Sequence, residues 1–284
     1  MTEEQSKAMG IDTNLTLTGR LLEGRQVVIT GAASEGGIGQ ATAKLFVEHG
    51  ARPAILDMDQ AASEAMAERV GGGAIGIQCD ITKKIDCDNA VARTLKEFGR
   101  IDILINNAGI THSTRIMDAT PEDFDLLQAV NVRGGFFMSQ AVIPHMREKG
   151  SGNIVFLSSV AGQRGGGLYG STHYAASKAA VLGMAKALGR ELAEEGIRVN
   201  AVAPSLIKTD VSAMTKFYPP NAFSTQGAKV VDSAEKRGGF EQGVPMKRSG
   251  NIWEVAGAIL FLASDLSSYM TGTNVDVNGG FHIY

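Results

Sequence analysis

The sequence is short of the features that mark many protein classes. It holds only two cysteines, Cys79 and Cys87, in 284 residues. They form no CxxC and no metal-ligand cluster, which excludes a disulfide framework and a structural zinc site. A reducing, cytoplasmic setting fits this usage best, and a bridge between the two is not expected. There is no excess of positive charge: 27 Lys and Arg stand against 30 Asp and Glu, for a formal net charge of −3 and a pI near 6.0. The basic patch that a nucleic-acid partner requires is missing. Long apolar runs are missing too. The longest clear one, AILFLA at 258–263, is far too short to span a bilayer, so no membrane partner is expected. The opening MTEEQSKAMG is acidic and polar and lacks the apolar stretch of a secretory signal. Glycine alone is in surplus: 35 of 284 residues, about 12% against a usual ~7%. No low-complexity tract absorbs it, so many glycines are expected at turns and close backbone approaches.

What is present is a rhythm. Residues 1–23 lack a clear period and read as an N-terminal arm; residues 24–284 read as one domain. Short apolar, β-branched runs stand at 26–30, 53–57, 74–80, 103–106, 153–158, 197–203 and 274–278. Most are continuously apolar, as strands buried on both faces of a parallel sheet are. Amphipathic helical patterns lie between them, at 38–49, 60–70, 86–98, 121–147, 174–195 and 251–263. The alternation implies an α/β fold, a Rossmann-like doubly wound parallel sheet of about seven strands with helices on both faces. Segment 206–249 carries little regular pattern and follows directly on a strand end. It reads as a substrate lid.

VVITGAASEGGIGQATAKLF is a strand, a glycine-rich turn and a helix, the context a dinucleotide-binding loop needs. The glycines admit a pyrophosphate to the backbone, and the helix start supplies N–H groups and a positive dipole end. Asp57 ends the second strand, 26 residues after Gly31. A carboxylate there accepts from ribose hydroxyls and repels a 2′-phosphate; capping the next helix is the other role open to it. A 2′-phosphate would want a cation nearby. The loop offers Ser34 and Glu35 instead, and Met58 follows Asp57. These residues favour NAD over NADP.

YGSTHYAASKAA at 169–180 holds two tyrosines and a lysine. Tyr174 stands four residues before Lys178 and Tyr169 nine before it, so only Tyr174 shares a helix face with the lysine at close range. Spacing alone leaves a catalytic pair and a surface contact both open.

With these motifs taken together, the chain resembles the short-chain dehydrogenase/reductase family over residues 24–280. The resemblance rests on TGAASEGGIG, CDIT with Asp80, NNAG at 106–109, Asn131 in a long helix, SSVAG at 158–162, YAASK at 174–178, VNAVAPS at 199–205 and TGTNVDVNGG at 271–280, in that order. It implies a catalytic set of Asn131, Ser159, Tyr174 and Lys178. It implies cofactor contacts from Gly31, Ser34, Gly37, Ile38 and Gly39 at the pyrophosphate. Asp57 and Met58 would serve the ribose, and Asp80 and Ile81 would flank the adenine. Asn107, Ala108 and Gly109 would lie under the cofactor. Tyr174, Lys178, Pro204, Ile207 and Thr209 would stand beside the nicotinamide end. Ser159 is preferred to Ser158 because VAG follows it. A homotetramer or homodimer is also implied. The wide apolar faces of helices 121–147 and 174–195 would serve it, and the aromatic tail FHIY would tuck into a neighbour.

The chemistry is consistent with those residue types. Transfer of a hydride between a carbinol carbon and nicotinamide requires movement of a proton. A free phenol with pKa ~10 is a weak base at neutral pH, and a lysine ammonium nearby favours the phenolate. Ser159 would steady the substrate oxygen. Asparagine is a poor mid-helix residue, so Asn131 suggests a local irregularity that holds a proton-relaying water.

The sequence departs from the family pattern in four places, one of them VNGG near the end where VDGG is commoner. Five residues rather than three separate Gly31 and Gly37. The interval from Ser159 to Tyr174 is 15 rather than 13. Ser205 stands where glycine is usual. His112, Arg115, Arg164 and His173 are candidates to meet a polar substrate, although for each an ordinary exposed or capped side chain serves as well. His49 and His145 read as surface helix residues, and no metal site is expected.

The activity expected is NAD(H)-dependent interconversion of a secondary alcohol (a polyol, sugar or cyclic alcohol) and its ketone. Reduction of a 3-oxoacyl thioester with NADPH is the alternative within enzymes. A non-catalytic NAD-sensing or scaffold protein is the alternative outside them.

Overall fold

The computed structural model describes residues 19–111, 114–166, 172–209 and 241–283. Seven parallel strands form one sheet: β1 (Gln26–Thr30), β2 (Arg52–Asp57), β3 (Ile75–Gln78), β4 (Ile103–Asn106), β5 (Gly152–Leu157), β6 (Ile197–Pro204) and β9 (Asn274–Val277). Their order is β3-β2-β1-β4-β5-β6-β9. The chain therefore leaves β1 in one direction and returns from β3 to the other side at β4. The point where the winding reverses lies between β1 and β4, and the carboxyl ends of strands there form the crevice in which such folds bind ligands.

Successive strand residues serve opposite faces, as the pleat requires. On one face Val28, Leu104, Ile154 and Val199 pack under helices Lys84–Phe98, Gly135–Lys149 and Thr172–Glu191. On the other, Val27, Ile29, Ile105 and Val202 pack under helices Ile38–Glu48, Gln60–Val70 and Ile252–Ala263. Both faces of the inner strands are buried, which is why most strands read as unbroken apolar runs; β9, at the sheet edge, is half-buried and alternates.

Four details differ from the expectations. The third strand stops at Gln78, because Asp80 turns the chain by accepting from the Thr82 N–H at 3.0 Å and the Thr82 hydroxyl at 2.7 Å. The helix expected over 121–147 is three segments: Pro121–Gln128, a π-helical stretch Ala129–Gly134 that contains Asn131, and Gly135–Lys149. Of the expected arm, residues 1–18 lie outside the described residues, and its last residues pack onto the domain. Leu22 is buried against Phe46 and its neighbours, and its N–H reaches the His49 carbonyl at 3.0 Å. His49 itself closes helix Ile38–Glu48 and its Nδ1 accepts from the Leu21 N–H at 3.3 Å; it and His145 are half-buried rather than on the surface.

The segment 206–249 begins with β7 (Ile207–Lys208), which pairs with β8 (Gly250–Asn251) just beyond its end. This short parallel ladder ties its two limbs together, while residues 210–240 lie outside the described residues. Among the described residues no helix is long and apolar enough to cross a membrane.

Candidate active site

The glycine loop sits at the reversal point. Gly31 has φ +64°, and a Cβ on it would stand 2.7 Å from the Ala108 Cα; one on Gly39 would stand 2.7 Å from Asn107 Nδ2 and 2.8 Å from the Ala32 Cα. Side chains at either position would push the β1 loop off the β4 loop. Asn107 binds the two together: its Nδ2 donates to the Thr30 and Gly31 carbonyls, each at 2.9 Å. The Thr30 hydroxyl accepts from the N–H groups of Asn107 and Ala108, each at 3.1 Å. Helix Ile38–Glu48 starts at Gly37 with no side-chain cap and no acidic residue in its first turn, so its leading N–H groups and dipole face the loop uncompensated. Ser34 and Ile38 are half-buried beside them. An anionic pyrophosphate fits this set.

Asp57 ends β2 half-buried. Its Oδ2 accepts from the Ala33 N–H at 3.1 Å and its Oδ1 from the Met58 N–H at 2.8 Å. Burial raises its pKa, the two N–H groups oppose the rise, and Asp59 adds to it. The helix cap that was open to Asp57 belongs to Asp59, which accepts from the Ala62 N–H. Asp57 thus fastens the glycine loop while each oxygen keeps lone-pair capacity for ribose hydroxyls. For Asp80, burial acts upward, but the Thr82 bonds and Lys83 outweigh it and hold the carboxyl below its ordinary range. Ile81 is buried next to it.

The four residues of the expected catalytic set come from three elements. Ser159 follows β5, Tyr174 and Lys178 lie on helix Thr172–Glu191, and Asn131 lies in the π-helical stretch. Ser159 stands close enough to the Tyr174 hydroxyl to draw its titration downward. Ser158 is buried instead, and its hydroxyl donates to the Lys178 carbonyl at 2.8 Å. Lys178 is 5% exposed. Its Nζ donates to the Leu157 carbonyl at 2.9 Å and lies 5.9 Å from the centroid of the Tyr174 ring. Burial lowers its pKa to about 8. An ammonium has three protons to give, so the donors beyond the Leu157 bond suit a ribose diol.

Asn131 spends both ends of its amide on one peptide unit: Oδ1 accepts from the Ile110 N–H at 2.8 Å and Nδ2 donates to the Ile110 carbonyl at 2.9 Å. Nδ2 also donates to the Ser177 hydroxyl at 3.0 Å, which donates to the Tyr174 carbonyl at 2.7 Å. Lys178 Nζ and Asn131 Oδ1 flank Gly109, 3.1 and 3.2 Å from where a Cβ would stand. The extra residue in the π turn turns Asn131 toward this loop.

Lys178 and an oxidised nicotinamide were together expected to lower the Tyr174 phenol. The protein's own groups do not: burial raises it, and Ser159 opposes the rise without cancelling it. At this separation a buried ammonium that already serves a carbonyl does not offset the loss of water around the phenol.

Pro204 is buried at the end of β6, and its carbonyl accepts from the Val160 N–H at 2.9 Å. Ile207 is half-buried and Thr209 exposed. Arg115 is exposed; His173 is buried, and its carbonyl accepts from Gln128 Nε2 at 3.5 Å. Arg164 lies 4.3 Å from the centroid of the Phe281 ring of the same chain. His112 and Tyr169 lie outside the described residues. Sequence reasoning missed Thr30 and Ser177; a hydroxyl at the last position of an otherwise apolar strand, and one between Tyr174 and Lys178, were the available signals.

Among the described residues no group of three His, Cys, Asp or Glu side chains is arranged to hold a metal ion. The thiols of Cys79 and Cys87 are free and buried, and Cys87 Sγ donates to the Ile81 carbonyl at 3.5 Å.

A glycine loop at the winding reversal, joined to a serine, tyrosine and lysine at the same sheet edge, defines a nucleotide-dependent oxidoreductase of the short-chain type. The comparisons agree. A family model described as enoyl-(acyl carrier protein) reductase matches residues 31–282. An uncharacterized short-chain type dehydrogenase/reductase of Sinorhizobium fredii is 46% identical over 268 residues, 93% of this chain and all of that one. The 3-oxoacyl-[acyl-carrier-protein] reductase FabG of Thermotoga maritima is 40% identical, over 92% of this chain and 99% of its own. A crystal structure of 3-ketoacyl-(acyl-carrier-protein) reductase from Brucella melitensis, complexed with NADH, matches with a TM-score of 0.80 and 35% identity, covering 92% of this chain and 100% of that one. The chain belongs to the short-chain dehydrogenase/reductase family.

Proposed function

We propose that the protein interconverts a secondary alcohol and its ketone with NAD(H). The observation that carries this reading is the Ser159–Tyr174 hydroxyl pair beside the buried Lys178. A bound nicotinamide would supply the hydride donor or acceptor and, when oxidised, a positive charge near the phenol. Ser159 would donate to the substrate oxygen, and Tyr174 would give or take the proton of that oxygen. The protein's own groups favour the neutral phenol, which suits Tyr174 to act as an acid on a ketone. Lys178 would hold ribose hydroxyls, and Asn131 would fix the Ile110 loop beside it. Asp57, with Met58 rather than a cation next to it, supports NAD over NADP.

The relatives named as 3-oxoacyl-[acyl-carrier-protein] reductases support a second reading, in which the ketone is a 3-oxoacyl thioester. A homo-oligomer belongs to either reading, supported by Phe124 and Phe136, which helices Pro121–Gln128 and Gly135–Lys149 leave half-exposed. The two unbridged, buried thiols support a reducing compartment.

The test is a fluorescence titration with NADH and NADPH, followed by turnover on cyclic ketones, ketoses and acetoacetyl thioesters. NADH should bind more tightly. Tyr174→Phe should reduce turnover by roughly 10³-fold and leave NADH affinity within about twofold. Turnover confined to thioesters would select the second reading. Silence across all three panels, or tighter binding of NADPH, would overturn the first.

A further inference from the structure

The connection from Ser159 to Tyr174 contains a single helical turn, Ala161–Arg164, followed by Gly165, Gly166 and Gly167. One turn cannot hold itself in place, because helix nucleation is unfavourable, and a glycine run adds conformational freedom. Its position must come from what it touches. On one side Gly162 presses against the Tyr174 helix, where a Cβ would stand 2.6 Å from the Lys178 carbonyl carbon. On the other side are the last strand and the chain end. Gln163 Nε2 donates to Asp276 Oδ1 at 2.8 Å, and the Arg164 guanidinium lies over the Phe281 ring at 4.3 Å.

Both partners are themselves anchored. Asp276 lies in β9, in register with Ala203 of β6. Phe281 sits in a turn in which Asn278 Oδ1 accepts from the Gly280 N–H at 2.8 Å and Asn278 Nδ2 donates to the His282 carbonyl at 2.9 Å. The same turn accepts the Met246 N–H at the Gly279 carbonyl, at 3.2 Å. The serine in turn is bonded to the single helical turn: its hydroxyl accepts from the Ala161 N–H at 3.1 Å, and its carbonyl from the Gly162 N–H at 3.0 Å.

We propose that β9 and the C-terminal turn form a brace for Ser159, in which Asp276 acting through Gln163 and Phe281 acting through Arg164 are positioning residues that hold the serine hydroxyl toward Tyr174. Neither touches the reacting atoms. Arg164 is committed to this contact, which gives the exposed arginine beside the site a structural duty. The turnover arm of the test rests on the oxidoreductase reading above; the spectroscopic arm does not.

The spectroscopic arm follows the Tyr174 phenol by fluorine NMR in protein labelled with 3-fluorotyrosine, whose phenol titrates lower than that of tyrosine. Tyr174→Phe assigns the resonance. Ser159 lowers this phenol, so Ser159→Ala should raise its titration midpoint. Asp276→Ala and Phe281→Leu should move it the same way, and Asp276→Asn and Phe281→Tyr should restore it. In the Ser159→Ala background the first two should add nothing, because they act through the serine. Turnover should fall about tenfold in Asp276→Ala with NADH affinity unchanged, and again show no further loss in Ser159→Ala.

Should Asp276→Ala fail to fold, Gln163→Met breaks the same contact from the loop side. An unmoved Tyr174 midpoint in well-folded variants, or equal effects with and without Ser159, overturns the brace. A silent substrate panel would sink the oxidoreductase reading and still leave the brace decided by the fluorine titration.

Discussion

Replacement of Lys178 by methionine should make the protein more stable near neutral pH while removing its chemistry. The side chain is 5% exposed, and its pKa falls from the ordinary 10.5 to about 8 through burial. At pH 7 that depression corresponds to a penalty of about 3 kcal/mol against the folded state. Methionine occupies similar volume without charge and escapes the penalty. It also leaves the Leu157 carbonyl without the donor it has at 2.9 Å, which costs about 1–3 kcal/mol. The net gain at pH 7 is therefore small, about 1 kcal/mol.

The sharper signature is its pH dependence. A lysine with a lowered folded pKa binds fewer protons in the native than in the unfolded state between pH 8 and 10.5, so its penalty is full below pH 8 and vanishes as pH rises through that window. The advantage of Lys178→Met over the unaltered protein should shrink by about 2 kcal/mol between pH 7 and pH 9.5. Urea denaturation of both proteins at the two pH values measures it, and all other titrating groups cancel in the difference. A gap that stays constant with pH, or a variant several kcal/mol less stable at pH 7, would refute the claim that this ammonium is buried at the fold's expense.

Two other substitutions probe the nucleotide end. Asp57→Ala should narrow the proposed preference for NADH over NADPH by at least about tenfold in fluorescence titrations, and should also weaken NADH itself, because the Ala33 N–H loses its acceptor. Gly39→Ala and Gly183→Ala should act with opposite sign in thermal melts. A Cβ on Gly39 meets backbone at 2.8 Å, whereas one on Gly183 meets nothing within 4 Å. The first should cost about 1–3 kcal/mol and NADH affinity; the second should stabilise its helix by about 0.5–1 kcal/mol.

Much of this was legible in one dimension. The seven sheet strands were visible because burial on both faces leaves an unbroken apolar run, and helix ends at Gln60 and Ile252 agree with the reading to within a residue. The pairing of Tyr174 with Lys178 follows from helix periodicity alone. The direction in which Tyr174 titrates did not follow, because burial is a property of the packed neighbours and not of the spacing. The two extra residues between Ser159 and Tyr174 were countable, but their brace from Asp276 and Phe281 was not, since those partners lie more than a hundred residues away.

The amino-acid order by itself determined which segments become strands and helices, the glycine turn, and the nucleotide-binding character of the first βαβ unit. These depend on periodicity and local sterics, which act over a few residues. Only the tertiary structure decided that Asn131 clasps Ile110 and that the chain end reaches the catalytic loop. Those contacts arise where crossovers bring distant strand ends to one edge, and the geometry of that edge is set by the packing of the whole sheet.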